Sequence, residues 1–196
     1  MCGIVGYVGD ENASPILLQN LKMLEYRGYD SCGIATVDGK LHVKKDVGMI
    51  DEVNGSLNFL NLPGKVGIAH TRWATHGNVT KNNAHPHLDC KGKIAIVHNG
   101  IISNYEELKA ELLKRGHVFN SETDSECLVH LIEDAYDGDL ERATADVLQK
   151  VRGTYALIVI SLHNPGRLIC ARNESPLMLG LGDGGIFVGS DVASFL

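Results

Sequence analysis

Apolar and polar positions follow two rhythms along this chain, and the rhythms divide it into blocks. Residues 3–8 are apolar and broken by Gly3 and Gly6, which reads as a buried strand. Ser14-Pro15 supplies an N-cap and a first-turn proline. Ile16, Leu17, Leu21 and Leu24 then recur at helical spacing up to a stop near Arg27-Gly28. Residues 33–37 and 41–45 alternate around Asp38-Gly39, the signal of a hairpin with a type I′ turn. Strands over 66–70 and 93–98 flank a long polar segment, about residues 71–92, with few regular signals. A loop of that length inside a compact domain generally carries function.

Helical spacing returns in the middle. Asn104 caps a helix with Leu108, Leu112 and Leu113 as its apolar positions and Gly116 as its stop. Residues 124–136 and 139–151 predict two more helices. The remainder predicts strands over 154–162, 167–172, 177–181 and 185–189. Asn164-Pro165-Gly166 and Gly182-Asp183-Gly184-Gly185 are the turns between them. Strands come early and late with no strict strand–helix alternation, so a Rossmann sheet is a poor fit. The expected class is α+β, mostly antiparallel sheets covered by helices. No internal repeat, low-complexity tract or interdomain linker interrupts the 196 residues, which suit one sizeable domain.

Charge narrows the partners. The net charge is −6 and Lys/Arg residues form no cluster, which argues against nucleic acid and anionic membrane surfaces. The longest apolar run, residues 155–160, is far too short to span a bilayer. The N-terminus lacks a basic region and is broken by Gly3, Gly6 and Gly9, unlike a signal peptide. Five scattered cysteines without a C-x-x-C pair read as reduced thiols of a cytoplasmic protein. Cys32, Cys127 and Cys170 sit in apolar patterns expected in the core, and Cys90 sits in a turn. The apolar ending Ser194-Phe195-Leu196 reads as a domain boundary.

Cys2 is the first candidate for chemistry. Initiator methionine is commonly removed before so small a residue. Removal would leave a thiol and a free α-amino group on one residue. That amine has a reference pKa of roughly 7.7–8 and can take the thiol proton, giving a self-contained nucleophile and base. A small buried cysteine at a strand start is the plainer alternative.

Four further segments are polar and aromatic yet poor in secondary-structure signal. They are Tyr26-Arg27-Gly28-Tyr29-Asp30-Ser31, His70-Thr71-Arg72-Trp73-Ala74-Thr75-His76-Gly77, His98-Asn99-Gly100 and Glu122-Thr123-Asp124-Ser125-Glu126. With Cys2-Gly3-Ile4, in this order, the set resembles the class II (N-terminal nucleophile) glutamine amidotransferases. Arg72 to Gly77, Asn83-Ala84-His85-Pro86-His87 and Glu25 to Asp30 look most like the glutaminase domains of the glucosamine-6-phosphate synthases. The resemblance spans essentially residues 1–196. It implies an N-terminal nucleophile hydrolase fold, a four-layer α/β/β/α sandwich with two mostly antiparallel sheets.

The resemblance also implies roles. Cys2 would attack the side-chain amide of L-glutamine and form a glutamyl thioester. The Asn99 side chain and the Gly100 backbone N–H would form the oxyanion hole, although a strand-ending Asn-Gly turn explains the pair equally well. Arg72 would bind the substrate α-carboxylate, with Thr75 and His76 helping to hold that end. Asp124 would take the α-ammonium, or cap a helix, or both. Without the resemblance, Arg72 reads as a solvated charge and Trp73 as an aromatic packing a loop. With it, Trp73 covers bound glutamine and gates an ammonia path. The longer enzyme would carry C-terminal sugar-isomerase domains, receive ammonia on fructose 6-phosphate and form a homodimer. Other class II amidotransferases, or a non-catalytic glutamine-binding module with Met1 retained, are the rival readings.

Neither a cofactor nor a metal is expected. Nine histidines invite a metal reading, with His85-Pro86-His87 near His70 or His76 the obvious group. However, no zinc-finger spacing and no H-E-x-x-H motif occurs. His70, His76, His85 and His98 more readily hydrogen-bond loops together or polarise the pocket.

Overall fold

The computed structural model describes residues 2–74 and 77–195. Period-two patterning builds two sheets. Strands β1 (Gly3–Gly9), β2 (Ser31–Asp38), β3 (Lys40–Val47), β4 (Val66–Arg72), β9 (Met178–Gly182) and β10 (Gly185–Gly189) form a six-stranded sheet. Its order is β3-β2-β4-β1-β10-β9. Strands β5 (His87–Leu88), β6 (Ile94–Ile102), β7 (Gly153–Ser161) and β8 (Ile169–Asn173) form a second sheet in that order. Every pairing in both sheets is antiparallel.

The alternation along single strands explains the layering. On β6 and β7, Ala95, Val97, Ala156, Ile158 and Ile160 face the other sheet, where Ile4, Ile68, Ala35 and Val188 meet them. The intervening Ile94, Ile96, Leu157 and Val159 face helices α3 (Tyr105–Lys114), α4 (Ser125–Ala135) and α5 (Leu140–Leu148). On the outer face of the large sheet, Val5, Tyr7 and Ile34 pack under helices α1 (Ala13–Lys22) and α2 (Ile50–Leu57). The result is the expected α/β/β/α sandwich.

Local chemistry shifts several boundaries. Asn12, not Ser14, caps α1: its side chain accepts from the Ser14 N–H at 3.3 Å, while Ser14 Oγ donates to the Phe59 carbonyl. α1 ends at Lys22, and residues 25–27 form a separate 3-10 turn. Helix α2 has no counterpart in the sequence reading, because only Ile50 and Val53 are buried across its two turns. The β2–β3 register pairs Val37 with Leu41 and Asp38 with Lys40, so the connection is centred on Gly39 (φ +65°). A two-residue type I′ turn needs positive φ at both central residues, and Asp38 does not have it. Cys32 and Cys127 are buried as expected, Cys90 is in a turn, but Cys170 is exposed on the outermost strand of its sheet. Among the described residues, no helix is long and apolar enough to cross a membrane.

Candidate active site

The ends of β1, β4 and β6 meet around a cavity of about 210 Å³ whose walls include Cys2, Arg72, Trp73, Asn99, Gly100 and Asp124. Segments far apart in sequence reach one place because β1 and β4 are paired, Gly3 opposite Thr71. That register sets Cys2 beside Trp73. The Trp73 backbone N–H donates to Cys2 Sγ at 3.3 Å. Burial pushes the Cys2 thiol up, and the Trp73 N–H only partly pulls it back. The resting group is a thiol that needs a base.

The Cys2 main chain is held as firmly as its sulfur. Asn99 Nδ2 donates to the Cys2 carbonyl at 2.8 Å and Arg27 Nε donates to it at 3.2 Å. Arg27 is buried and its Nη1 pairs with Asp191 at 2.7 Å; Tyr26 Oη donates to the same carboxylate oxygen at 2.9 Å. No role for Arg27 was legible in the sequence, although it sits in one of the segments singled out there. Thr71 Oγ1 donates to the Gly28 carbonyl, and a Cβ at Gly28 would run into the Arg72 backbone. This close approach is why a glycine follows Arg27.

Asn99 is oriented from behind. His70 Nε2 lies 3.0 Å from Asn99 Oδ1 and 3.2 Å from the His98 carbonyl. Both partners are acceptors, so Nε2 carries the proton. Burial lowers the His70 pKa to about 3, which keeps the ring neutral and the tautomer fixed. The amide therefore turns its oxygen to His70 and its nitrogen to Cys2. Among the described residues its second N–H has no partner. Gly100 has φ +130°, and a Cβ there would collide with the Thr154 carbonyl oxygen. Only glycine keeps this stretch of β6 paired to β7.

Arg72 is buried at the end of β4, with Nη1 donating to the Asn78 carbonyl at 3.2 Å, so the solvated-charge reading does not hold. Trp73 is about half exposed and packs on Tyr29 with ring centroids 5.3 Å apart. Asp124 occupies the N-cap position of α4 but makes no capping hydrogen bond. Its Oδ2 accepts instead from the Ile102 N–H of β6 at 2.8 Å. Asn104 likewise makes no side-chain cap to α3 and reaches the Lys150 carbonyl and the Arg152 N–H. Thr75 and His76 lie outside the described residues.

Asn83 and Glu122 brace the approach to the cavity. Asn83 Nδ2 donates to Glu122 Oε2 at 3.0 Å and Asn83 Oδ1 accepts from the Glu122 N–H at 2.9 Å. The partly buried Lys45 Nζ donates to the Ala84 and Pro86 carbonyls, and desolvation lowers its pKa to about 8. The polar stretch between β4 and β6 is thus organised by side chain-to-backbone bonds.

Buried histidines cluster behind the site, His85 stacked on His70 and edge-on to His87. His70 and His85 have ring centroids 4.0 Å apart, His85 and His87 4.4 Å, and His98 Nδ1 lies 2.8 Å from Ser125 Oγ. Burial holds His70, His85, His87 and His98 below the ordinary 6.5. Below that pH the unfolded chain takes up protons that the folded chain refuses, so stability falls as pH drops. Urea midpoints should fall steeply between about pH 7 and 5, by up to about 1.4 kcal/mol per pH unit for each such histidine. A flat profile over that interval would contradict the buried neutral cluster.

Comparisons with known proteins place the chain in a family. Residues 70–196 match the model of the glutamine amidotransferase domain. The chain belongs to the class II glutamine amidotransferases. The glutamine–fructose-6-phosphate aminotransferase (isomerizing) of Pyrococcus horikoshii is 56% identical across 100% of this chain. The enzyme of the same name from Aquifex aeolicus is 53% identical, also across 100% of it. This amidotransferase chain covers 33% of each of those relatives. Among solved structures, the glutamine phosphoribosylpyrophosphate amidotransferase of B. subtilis, complexed with ADP and GMP, superposes with a TM-score of 0.87 at 30% identity. The match covers 99% of this chain and 43% of that one. A class-II glutamine aminotransferase domain protein from Silicibacter pomeroyi shares the fold alone, with a TM-score of 0.60 at 18% identity. The amidotransferase fold here is the N-terminal nucleophile type, with its two antiparallel sheets and outer helices.

Proposed function

We propose that this domain hydrolyses the side-chain amide of L-glutamine to glutamate and ammonia, with Cys2 as nucleophile. The observation that carries the reading is the Cys2 thiol at the cavity wall with the Asn99 amide fixed beside it. Removal of Met1 frees the Cys2 α-amino group, the base that a thiol raised by burial needs. The sulfur attacks the amide carbon, and the carbonyl oxygen takes up charge against the second N–H of Asn99 and the Gly100 N–H. The thiol proton passes through the amine to the departing nitrogen, which leaves as ammonia. Water then cleaves the thioester, releasing glutamate and restoring the thiol. Trp73 closes over the bound substrate, with Thr75 and His76 beside the α-carboxylate.

Arg72 and Asp124 hold the unreacting end of glutamine. Arg72→Ala and Asp124→Ala should each raise KM strongly with a smaller change in kcat, since these contacts persist through the reaction. Arg72→Lys should recover only part of the loss, because a point charge cannot reproduce the guanidinium fork. Glutamine titrations of the three variants test this; unchanged KM in both alanine variants removes the two residues from the site.

Residues 1–196 are the glutaminase domain of a longer, cytoplasmic enzyme, in keeping with relatives three times as long and with thiols that are free. Its C-terminal sugar-isomerase domains would bind fructose 6-phosphate and use the ammonia to form glucosamine 6-phosphate, in a homodimer. The names of the most similar relatives support this acceptor over those of other class II enzymes. Intact mass of the purified chain tests the first requirement: it should lack the methionine residue.

A further inference from the structure

Away from the cavity, four side chains converge where three segments meet: the turn after β5, the loop between α3 and α4, and α4 itself. They are Cys90, His117, His130 and Glu133. Cys90 Sγ lies 3.5 Å from Nδ1 of His117 and 3.5 Å from Nδ1 of His130. Glu133 Oε2 lies 3.4 Å from the first nitrogen and 3.5 Å from the second. We propose that these four groups form a structural zinc site.

These four separations are those of a coordination shell, and all the donor atoms lie within 4.8 Å of one another, so a small side-chain adjustment closes the set. Zinc bonds of about 2.0–2.3 Å to nitrogen, oxygen and sulfur in a tetrahedron set neighbouring donors roughly 3.3–3.6 Å apart. The outer nitrogen of His117 is also dressed as that of a metal-bound imidazole is. His117 Nε2 lies 2.7 Å from Asp134 Oδ1, and His130 Nε2 lies 3.7 Å from Glu126 Oε1. The Asp134 carboxylate keeps the His117 proton on Nε2 and turns its Nδ1 lone pair inward, whereas His130 Nε2 is buried without a hydrogen-bond partner among the described residues.

His117 has a carboxylate oxygen at both ring nitrogens, which either a second ring proton or a cation at Nδ1 satisfies. The cation also accounts for the Cys90 sulfur 3.5 Å from the Nδ1 atoms of both His117 and His130. Cys90 would bind as thiolate, releasing its proton to solvent, and with Glu133 would balance the two charges of zinc. One sulfur, two nitrogens and one oxygen suit zinc better than magnesium or calcium. Four protein ligands complete the shell, which marks a structural role and no bound water for catalysis. The site would clamp the β5 turn to α4, whose N-terminus carries Asp124 and Ser125. The sequence expectation of no metal rested on contiguous spacing. Here only His130 and Glu133 are neighbours on one helix, and the other two ligands arrive by tertiary folding.

The test uses the full chain, freed of metal and titrated with cobalt(II) chloride and then zinc chloride. One cobalt per chain should give the intense visible bands of tetrahedral coordination and a near-ultraviolet thiolate charge-transfer band, both erased by one equivalent of zinc. Cys90→Ser should abolish the charge-transfer band, and Asp134→Asn should weaken binding by about 10–100-fold. In the Cys2→Ala background the bands should persist unchanged. Circular dichroism of each variant separates loss of metal from loss of fold. A weak octahedral spectrum, the absence of stoichiometric binding, or a band that survives in folded Cys90→Ser and vanishes in Cys2→Ala would overturn the site.

Discussion

Cys2→Ala should reduce glutamine hydrolysis to background while the chain keeps its fold. The expectation follows from the division of labour at the start of β1. The sulfur is the only side-chain atom of Cys2 that the proposed chemistry uses, and its structural contribution is a pair of hydrogen bonds with the Trp73 backbone, one from the N–H and one to the carbonyl. The main-chain carbonyl that Asn99 and Arg27 grip is unaffected by the substitution. Far-ultraviolet circular dichroism and the thermal midpoint should match the parent closely, with a stability change of about 1 kcal/mol. Residual turnover at a tenth or more of the parent rate, roughly 1.4 kcal/mol of barrier, would mean that another group attacks the amide.

Asn99→Ala should cost about 10²–10³-fold in turnover with little change in glutamine affinity, because in the proposed mechanism its second N–H stabilises charge present only in the transition state. The same amide steadies the Cys2 carbonyl, so some loss will come from a less well-placed nucleophile. Asn99→Asp loses the same donor to the Cys2 carbonyl and adds repulsion. It keeps the shape and an acceptor for His70 Nε2, but it sets a carboxylate against the developing oxyanion. It should be at least as damaging as alanine. Steady-state kinetics with glutamine, paired with binding of an unreactive analogue, reads both quantities. Near-native turnover with weakened binding would make Asn99 a substrate contact and move the oxyanion donors elsewhere.

The layered fold was legible because it depends on period. Alternation on β6 and β7 assigns each residue a face, and helical spacing between them supplies the outer layer. What escaped was set by tertiary contact. Helix α2 buries too little to show a stripe. The centre of the β2–β3 hairpin is fixed by register and not by its Asp-Gly pair. Cys170 lies in an apolar run but on an edge strand. For the site, Cys2, Arg72, Trp73, Asn99, Gly100 and Asp124 do converge on one cavity. Their supports were invisible: Arg27 on the Cys2 carbonyl, His70 on the Asn99 amide, and the Ile102 N–H on Asp124. Such contacts join residues about 20 to 30 positions apart where sheets, turns and a helix start pack together, and composition carries no trace of them.

The central claim, that Cys2 is the nucleophile for a glutamine-like substrate, is tested most directly by its own competitors. Cys90 and Cys170 are exposed thiols, whereas Cys2 is half-buried. The exposed pair serves as an internal control for access alone. Incubation with 6-diazo-5-oxo-L-norleucine followed by peptide mass mapping should place a single adduct on the N-terminal peptide beginning at Cys2, and excess glutamine should protect it. An adduct found mainly on Cys90 or Cys170, or labelling of Cys2 that glutamine does not slow, would contradict the account.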